Sequence, residues 1–317
     1  MACYRPLRAF KGSRRADGKV NVVWRRSEAV GPSPELHLPC GQCIGCRLER
    51  SRQWAMRCMH EAKLHDRNCF LTLTYADEYL PWDNSLVLSH FQDFMKRLRK
   101  RYACDCKVGR RKTCKLHGIR FFHCGEYGEK LGRPHYHAIV FNFDFPDKKL
   151  FTVSNGNNLF TSEQLDELWP LGHALIGAVT FDSAAYVARY VVKKFTGEGA
   201  DEHYQGRIPE YVTMSRRPGI GQGWFARYGD DVFPSDEVLV RGIPSKPPRY
   251  YDNILGEINP DLLRKIKLRR SAGAPRLVLS TVDGVEQLVC ESDDVRLRVK
   301  EEVKLAQIAS LKRNLED

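Results

Sequence analysis

Two histidines one residue apart, His135 and His137, open a run rich in β-branched and aromatic residues that ends near Phe143. On a strand, side chains at i and i+2 project to one face, so the two imidazoles stand side by side while Tyr136 points to the other. An earlier run, Ile119 to Glu126, has the same strand character. The eight residues between them, Tyr127 to Pro134, include Gly128, Gly132 and Pro134, a hairpin signature. A register symmetric about that linker puts Glu126 opposite His135, with Cβ atoms roughly 4.5 to 5.5 Å apart. Two imidazoles and a carboxylate, with further positions open, suit a divalent ion such as Mg²⁺ or Mn²⁺ acting as a Lewis acid. Glu129 is the competing third ligand, because a shifted turn brings it toward the histidines instead. His-x-His alone describes many ordinary pairs of surface histidines, and the carboxylate across the hairpin is what sets this pair apart.

A second group of reactive side chains lies on the helix-prone run from Ser183 to Phe195. An advance of 100° per residue gathers Tyr186, Arg189, Tyr190 and Lys193 into one arc, with Ala184, Ala188, Val191, Val192 and Phe195 opposite. The expectation is that both tyrosines lie away from the apolar stripe, one turn apart, and address the same metal-bound phosphate. A phenolate attacking a phosphodiester gives a phosphotyrosine, which conserves the bond for religation where hydrolysis discards it. A free phenol has a pKa of about 10, so Lys193, Lys194 or Arg189 would favour the phenolate and stabilise charge developing on the phosphate.

Charge points to the same class of partner. The 317 residues carry 51 Lys and Arg against 39 Asp and Glu, a formal charge of +12, which favours polyanions and above all nucleic acid. Between Phe94 and Arg120 there are eleven basic residues and one acid, Asp105, so this segment alone contributes 11 − 1 = +10. A charge run confined to a helix is usually a solvated face; this one continues into a loop, which favours phosphate contact. Arg216 and Arg217, followed by Pro218, Gly219 and Trp224, pair cations with an aromatic and are candidate contacts for single-stranded DNA, with a plain surface loop as the alternative. The N-terminus has no apolar signal region and no stretch is long and apolar enough to span a bilayer, so a soluble protein of the cytoplasm is expected.

The elements that must position these residues follow an order β-α-β-β-α-β-α. A helix runs from about Arg47 to His65, a buried strand from Cys69 to Tyr75, and a helix from Phe91 to Tyr102 with Ser89 as N-cap. After the hairpin come a short helix around Ser162 to Leu168, a strand from about His173 to Phe181 and the tyrosine helix. This interleaving predicts an α+β fold, one antiparallel sheet with helices packed against it. Residues 1–39 read as irregular, 197–223 as loop-rich, Pro244 to Tyr251 as a linker and Asp294 to Glu316 as a charged helix. The expected organisation is a Cys-rich and helical segment at 1–66, a nuclease core at 67–200 with a basic loop at 103–118, and an extension at 201–317.

On these motifs the chain resembles the HUH endonuclease superfamily, and more closely the rolling-circle replication initiators of small single-stranded DNA phages of the gokushovirus type. Phe70-Leu-Thr-Leu-Thr-Tyr75 resembles the first strand motif. Cys124-Gly-Glu-Tyr-Gly-Glu-Lys-Leu-Gly-Arg-Pro-His-Tyr-His137 resembles the metal motif, and Tyr186-Val-Ala-Arg-Tyr190-Val-Val-Lys-Lys194 the two-tyrosine motif. The likeness is specific over about residues 40 to 230, including Ser215-Arg-Arg-Pro-Gly-Ile-Gly221, and vague beyond. It implies a ferredoxin- or RRM-like core in which one tyrosine nicks the viral-strand origin, leaving a 5′-phosphotyrosine and a free 3′-hydroxyl for a host polymerase. The second tyrosine would cut the regenerated origin and allow circularisation. Arg133, at the head of the metal motif, joins Arg189, Arg216 and Arg217 as a candidate DNA contact. No phosphate-cradling P-loop is visible, so a host helicase is an expected partner.

Eleven cysteines in a chain without a secretory signal argue against a disulfide framework. Cys40-x-x-Cys43-x-x-Cys46 lacks the fourth cysteine and proline of a ferredoxin run, leaving zinc completed by a distant Cys or His, or three reduced thiols. Cys104-x-Cys106-x7-Cys114-x-x-His117 offers four soft ligands in a loop with little apolar content, again zinc or incidental cysteines. A non-enzymatic, zinc-stabilised DNA-binding regulator is therefore the rival to the nickase, though it leaves Tyr186 and Tyr190 idle. An iron oxygenase with two histidines and a carboxylate fits poorly, since such enzymes separate the second histidine far from the first pair.

Overall fold

Strand-period and helix-period segments alternate along the chain as elements whose apolar faces must meet. The computed structural model describes residues 3–16, 20–32, 35–102, 118–128, 131–154, 156–193, 199–233, 235–272, 277–282, 285–290 and 294–310, with backbone alone at 189–193, 271–272, 277–282, 285–290 and 310. The Cys/His loop at 104–117, Glu129 and Lys194 lie outside the described residues.

The chain divides into two compact units. One comprises Met1–Arg50 and Lys267–Arg313. In it β1 (Leu7–Arg14), β2 (Val20–Val23) and β3 (Glu35–Leu38) form an antiparallel sheet in the order β2-β1-β3. The expectation of an irregular start is thus corrected: these strands are short and mostly exposed, so they carry little of the apolar alternation by which strands are read.

The other unit, Ser51–Ile266, contains most of α1 (Ile44–Ala62) and a seven-stranded antiparallel sheet. Along the chain come β4 (Asn68–Thr74), α2 (Leu88–Arg101), β5 (Arg120–Tyr127), β6 (Pro134–Phe141), β7 (Lys149–Ser154) and β8 (Asn157–Thr161). They are followed by α3 (Glu163–Leu168), β9 (Ala174–Gly177), α4 (Phe181–Lys193), α5 (Ala200–Tyr204) and β10 (Tyr211–Met214). The spatial order is β10-β5-β6-β4-β9-β8-β7. The fold is α+β, with helices on both faces of this sheet.

Side-chain alternation explains the two faces. Tyr136, Ala138 and Val140 of β6 and Leu71 and Leu73 of β4 pack with Phe91, Phe94, Met95 and Leu98 of α2 and Leu165 and Leu168 of α3. Ile139 and Phe141 of β6 and Phe122 and Cys124 of β5 turn the other way, onto Ala55, Cys58 and Ala62 of α1 and Ala184, Val187 and Ala188 of α4. Ser162 caps α3, its Oγ accepting from the Leu165 N–H at 3.1 Å. Ser89, by contrast, is not the cap of α2: the helix begins at Leu88 after Val87, and no side chain caps it. The anticipated loop at 197–223 holds α5 and the edge strand β10, which pairs with β5 from Tyr211↔Gly125 to Met214↔Phe122.

Past β10, α6 (Gln222–Val232) and α7 (Arg249–Ile258) close a third apolar cluster around Tyr251, and the short hairpin β11 (Val238–Val240) and β12 (Ile243–Ser245) lies between them. α7 begins inside the segment read as a linker. α8 (Pro260–Ala272), the hairpin β13 (Leu277–Val282) and β14 (Val285–Cys290), and α9 (Asp294–Ser310) complete the chain. In the described part of the predicted C-terminal helix, Glu301 is buried and accepts from Arg5 Nε at 2.7 Å.

Candidate active site

The hairpin of β5 and β6 fixes the first three residues of the site. Its register pairs Glu126 with His135, Cys124 with His137 and Tyr127 with Pro134. The turn is closed by Gly128 N–H donating to Arg133 O at 3.0 Å and Gly132 N–H donating to Gly128 O at 2.9 Å, with Gly132 at φ +60, where a glycine carries no steric cost. Glu126, His135 and His137 share the face that α4 covers, so their polar atoms converge under a helix.

Glu126 is 1% exposed, and its Oε1 lies 2.9 Å from His135 Nε2 and 2.7 Å from His137 Nε2. One ligand atom from each of the three residues falls within 4.8 Å of the others. The outer nitrogens are held in turn. His135 Nδ1 is 3.1 Å from Arg133 O, a carbonyl that only accepts, so the Nδ1 proton is fixed there and the neutral ring presents its Nε2 lone pair inward. His137 Nδ1 is 3.1 Å from Thr72 Oγ1, which sits across from it in the β4–β6 register. Burial, the largest single influence, pushes the Glu126 carboxyl up, but the two imidazoles together outweigh it and hold it at about 2. An ionised carboxylate facing two inward lone pairs leaves acceptors converging on one point. This donor set fits a divalent cation with nitrogen and oxygen ligands.

Tyr186 comes to the same point from α4. Its hydroxyl donates to Glu126 Oε1 at 3.2 Å, and its ring meets His137 edge-on with centroids 5.0 Å apart. The helix-wheel expectation that Tyr186 lies away from the apolar side is corrected: the residue is 7% exposed and packs with Ala184, Val187 and Ala188 against the sheet. The sheet is polar where the ring reaches it, so an apolar helix face there can carry a phenol. The wheel of a lone helix cannot show that. The helix backbone continues through Tyr190 and Lys193, and the side chains of Arg189, Tyr190 and Lys193 lie outside the described residues.

A family model described as a replication-associated protein of the ORF2 type matches residues 68–195, from β4 through α4. The chain is 35% identical over 264 residues to Replication-associated protein VP4 of Bdellovibrio phage phiMH2K, an alignment covering 82% of this chain and 79% of that protein. It belongs to the phage replication-associated proteins. Similarity extends to Replication-associated protein ORF2 of Spiroplasma virus 4, 34% identical over 80% of this chain and 79% of that one. Replication-associated protein ORF4 of Chlamydia phage 1 is 33% identical, over 70% of this chain and 54% of its own length. No solved structure matches.

In this replication-associated protein the basic residues are divided in what they hold. Arg133 pairs with Asp77 Oδ1 at 2.5 Å and donates to Tyr75 O at 3.1 Å, so it braces the end of β4. On α2, Arg97 donates to Leu168 O and Arg99 to Ile119 O, each through two nitrogens, and Arg101 pairs with Glu167. These helix cations tie α2 to its neighbours. Arg216 and Arg217 are exposed. With Arg57, Pro218, Gln222 and Tyr250 they line a cavity of about 500 Å³ beyond the end of β10. Arg57 is flanked by Trp54 and Tyr250, its guanidinium carbon 3.9 and 3.7 Å from their ring centroids, and donates to Ile220 O. Trp224 stacks on His60 at 3.6 Å between centroids, so that face of the indole is covered.

Sequence reasoning missed Thr72 and Arg57. Thr72 had a signal, since alternation along Phe70-Leu-Thr-Leu-Thr puts it on one face with Thr74. Arg57 lies on α1 far from Ser215-Arg-Arg-Pro in the chain, and no local pattern joins them.

Among Cys40, Cys43 and Cys46 the structure adds a partner, Cys3, with ligand atoms of all four within 4.8 Å of one another. Burial would raise the Cys43 thiol, but N–H groups of Cys46 and Tyr4 directed at its sulfur contribute to bringing it down to about 7.

Proposed function

We propose that this protein starts rolling-circle replication as a metal-dependent endonuclease that nicks single-stranded origin DNA through a tyrosine and later religates it. The observation that carries the reading is one shared oxygen: Glu126 Oε1 faces both His135 and His137 and also accepts from the Tyr186 hydroxyl. Glu126, His135 and His137 would hold Mg²⁺ or Mn²⁺, which when bound polarises a phosphate oxygen.

The chain's own residues do the rest. Tyr186 supplies its phenolic oxygen to phosphorus as the P–O3′ bond breaks, leaving a 5′-phosphotyrosine and a 3′-hydroxyl. Its phenolic proton already points at the Glu126 carboxylate, and α4 carries Tyr190 one turn further on for the second cleavage. Lys193, Lys194 and Arg189 follow on the same stretch as candidates to steady the phosphate charge. Arg57, Arg216 and Arg217 would grip the strand by phosphate contact, with Tyr250 beside them for stacking. A host polymerase and helicase would extend and unwind from the nick.

The test incubates the full chain with Mn²⁺ and single-stranded oligonucleotides tiling the genome that encodes it. A protein–DNA adduct on a denaturing gel, mapped by mass spectrometry to Tyr186 or Tyr190, is expected, and the Tyr186→Phe, Tyr190→Phe double variant should give none. DNA binding without any adduct would sink the nickase and favour the zinc-stabilised regulator.

A further inference from the structure

We infer that Cys3, Cys40, Cys43 and Cys46 form a mononuclear zinc site that stabilises the unit built on β1, β2 and β3. It is independent of Glu126, His135 and His137, and of the proposed nicking reaction.

Sulfur spacing argues for it first. A zinc–sulfur bond of about 2.3 Å in a regular tetrahedron sets neighbouring sulfurs about 3.8 Å apart. Cys3 Sγ lies 3.7 Å from Cys40 Sγ and 4.0 Å from Cys43 Sγ, and all four sulfurs fall within 4.8 Å of one another. These separations are far above the ~2.05 Å of a disulfide, and all four cysteines are free. A multi-iron cluster shares its thiolates among several metals and holds them further apart, so the compact set fits one ion.

The backbone is arranged for negative sulfur. Cys40 N–H points at Cys3 Sγ, Cys43 N–H at Cys40 Sγ and Tyr4 N–H at Cys43 Sγ, each at 3.3 Å, and Cys46 N–H points at Cys43 Sγ at 3.5 Å. Four thiols binding Zn²⁺ release four protons and leave a net charge of −2, which such N–H groups disperse. No electron is transferred. Soft thiolates select zinc over Mg²⁺ or Mn²⁺, and four protein ligands close the coordination sphere, which marks a structural ion.

The unit also needs a staple. Among its described residues the buried apolar side chains besides Cys43 and Cys46 are Ala9, Phe10 and Leu297, little core for three short strands. Cys3 precedes β1 while Cys43 and Cys46 sit at the head of α1, so one ion would clamp both ends of that sheet's chain.

The experiment is elemental analysis of the purified full chain. One zinc per chain is expected, falling at least about tenfold in Cys3→Ser and unchanged in the His135→Ala, His137→Ala double variant. Should Cys3→Ser fail to fold, cobalt replacement in the unaltered protein gives a second reading: intense visible bands of a tetrahedral cobalt thiolate are expected. Absence of zinc together with absence of those bands overturns the proposal. So does iron in place of zinc, or zinc retained in Cys3→Ser but lost with the histidines.

Discussion

At the scale of single residues, Glu126 is the meeting point of three partners, and the groups behind those partners decide how well it works. Thr72 touches His137 at the nitrogen away from Glu126, so its hydroxyl orients the ring without taking part in ligation. Thr72→Val keeps the shape and removes that bond. Mn²⁺ affinity measured by titration calorimetry should fall about 10- to 100-fold with the circular dichroism spectrum unchanged. An unchanged affinity would mean that packing alone fixes the ring. Much of this site is legible in the sequence because hairpin pairing and side-chain alternation are local rules. Glu126 and His135 meet through eight intervening residues. The placement of the Tyr186 hydroxyl is not local, since it depends on which part of the sheet α4 covers.

Among elements, α1 is the one whose packing carries a buried titratable group. His60 stacks on Trp224 of α6, and its Nδ1 is 2.8 Å from the hydroxyl of Tyr251 of α7. Burial, helped by nearby Lys63, pushes its pKa down to about 3. The folded state therefore resists a proton that the unfolded chain accepts near pH 6.5, so stability is present above that pH and lost as pH falls toward 3. Between pH 7 and pH 5 this amounts to about 2 kcal/mol, to be read from urea unfolding midpoints. His60→Gln should flatten the dependence, and an equal slope in the variant would assign it to other groups. The strands that escaped the sequence share a physical cause. β10 has four residues among glycines and prolines and joins β5 from far along the chain, and the outer hairpin β7–β8 is largely exposed, so neither shows the alternation of a half-buried strand.

For the whole molecule, a charge of +12 makes association with DNA depend on salt, and the exposed Arg216 and Arg217 are where the described surface pairs cations with a cavity. Replacing both by alanine should lower single-strand affinity and reduce the slope of log affinity against log salt by about 1.4, two phosphate contacts' worth, as followed by fluorescence anisotropy. A slope that does not move would remove this loop from the interface. No helix among the described residues is long and apolar enough to cross a membrane.

The hairpin has one more consequence, in the order of assembly. Glu126 and His135 are nine positions apart, whereas Glu126 and Tyr186 are sixty apart. Short hairpins close within microseconds and remote contacts wait on longer loops. During folding, the ligand pair forms ahead of the phenol's arrival, so a half-made chain has somewhere to bind a cation before it has anything with which to cut.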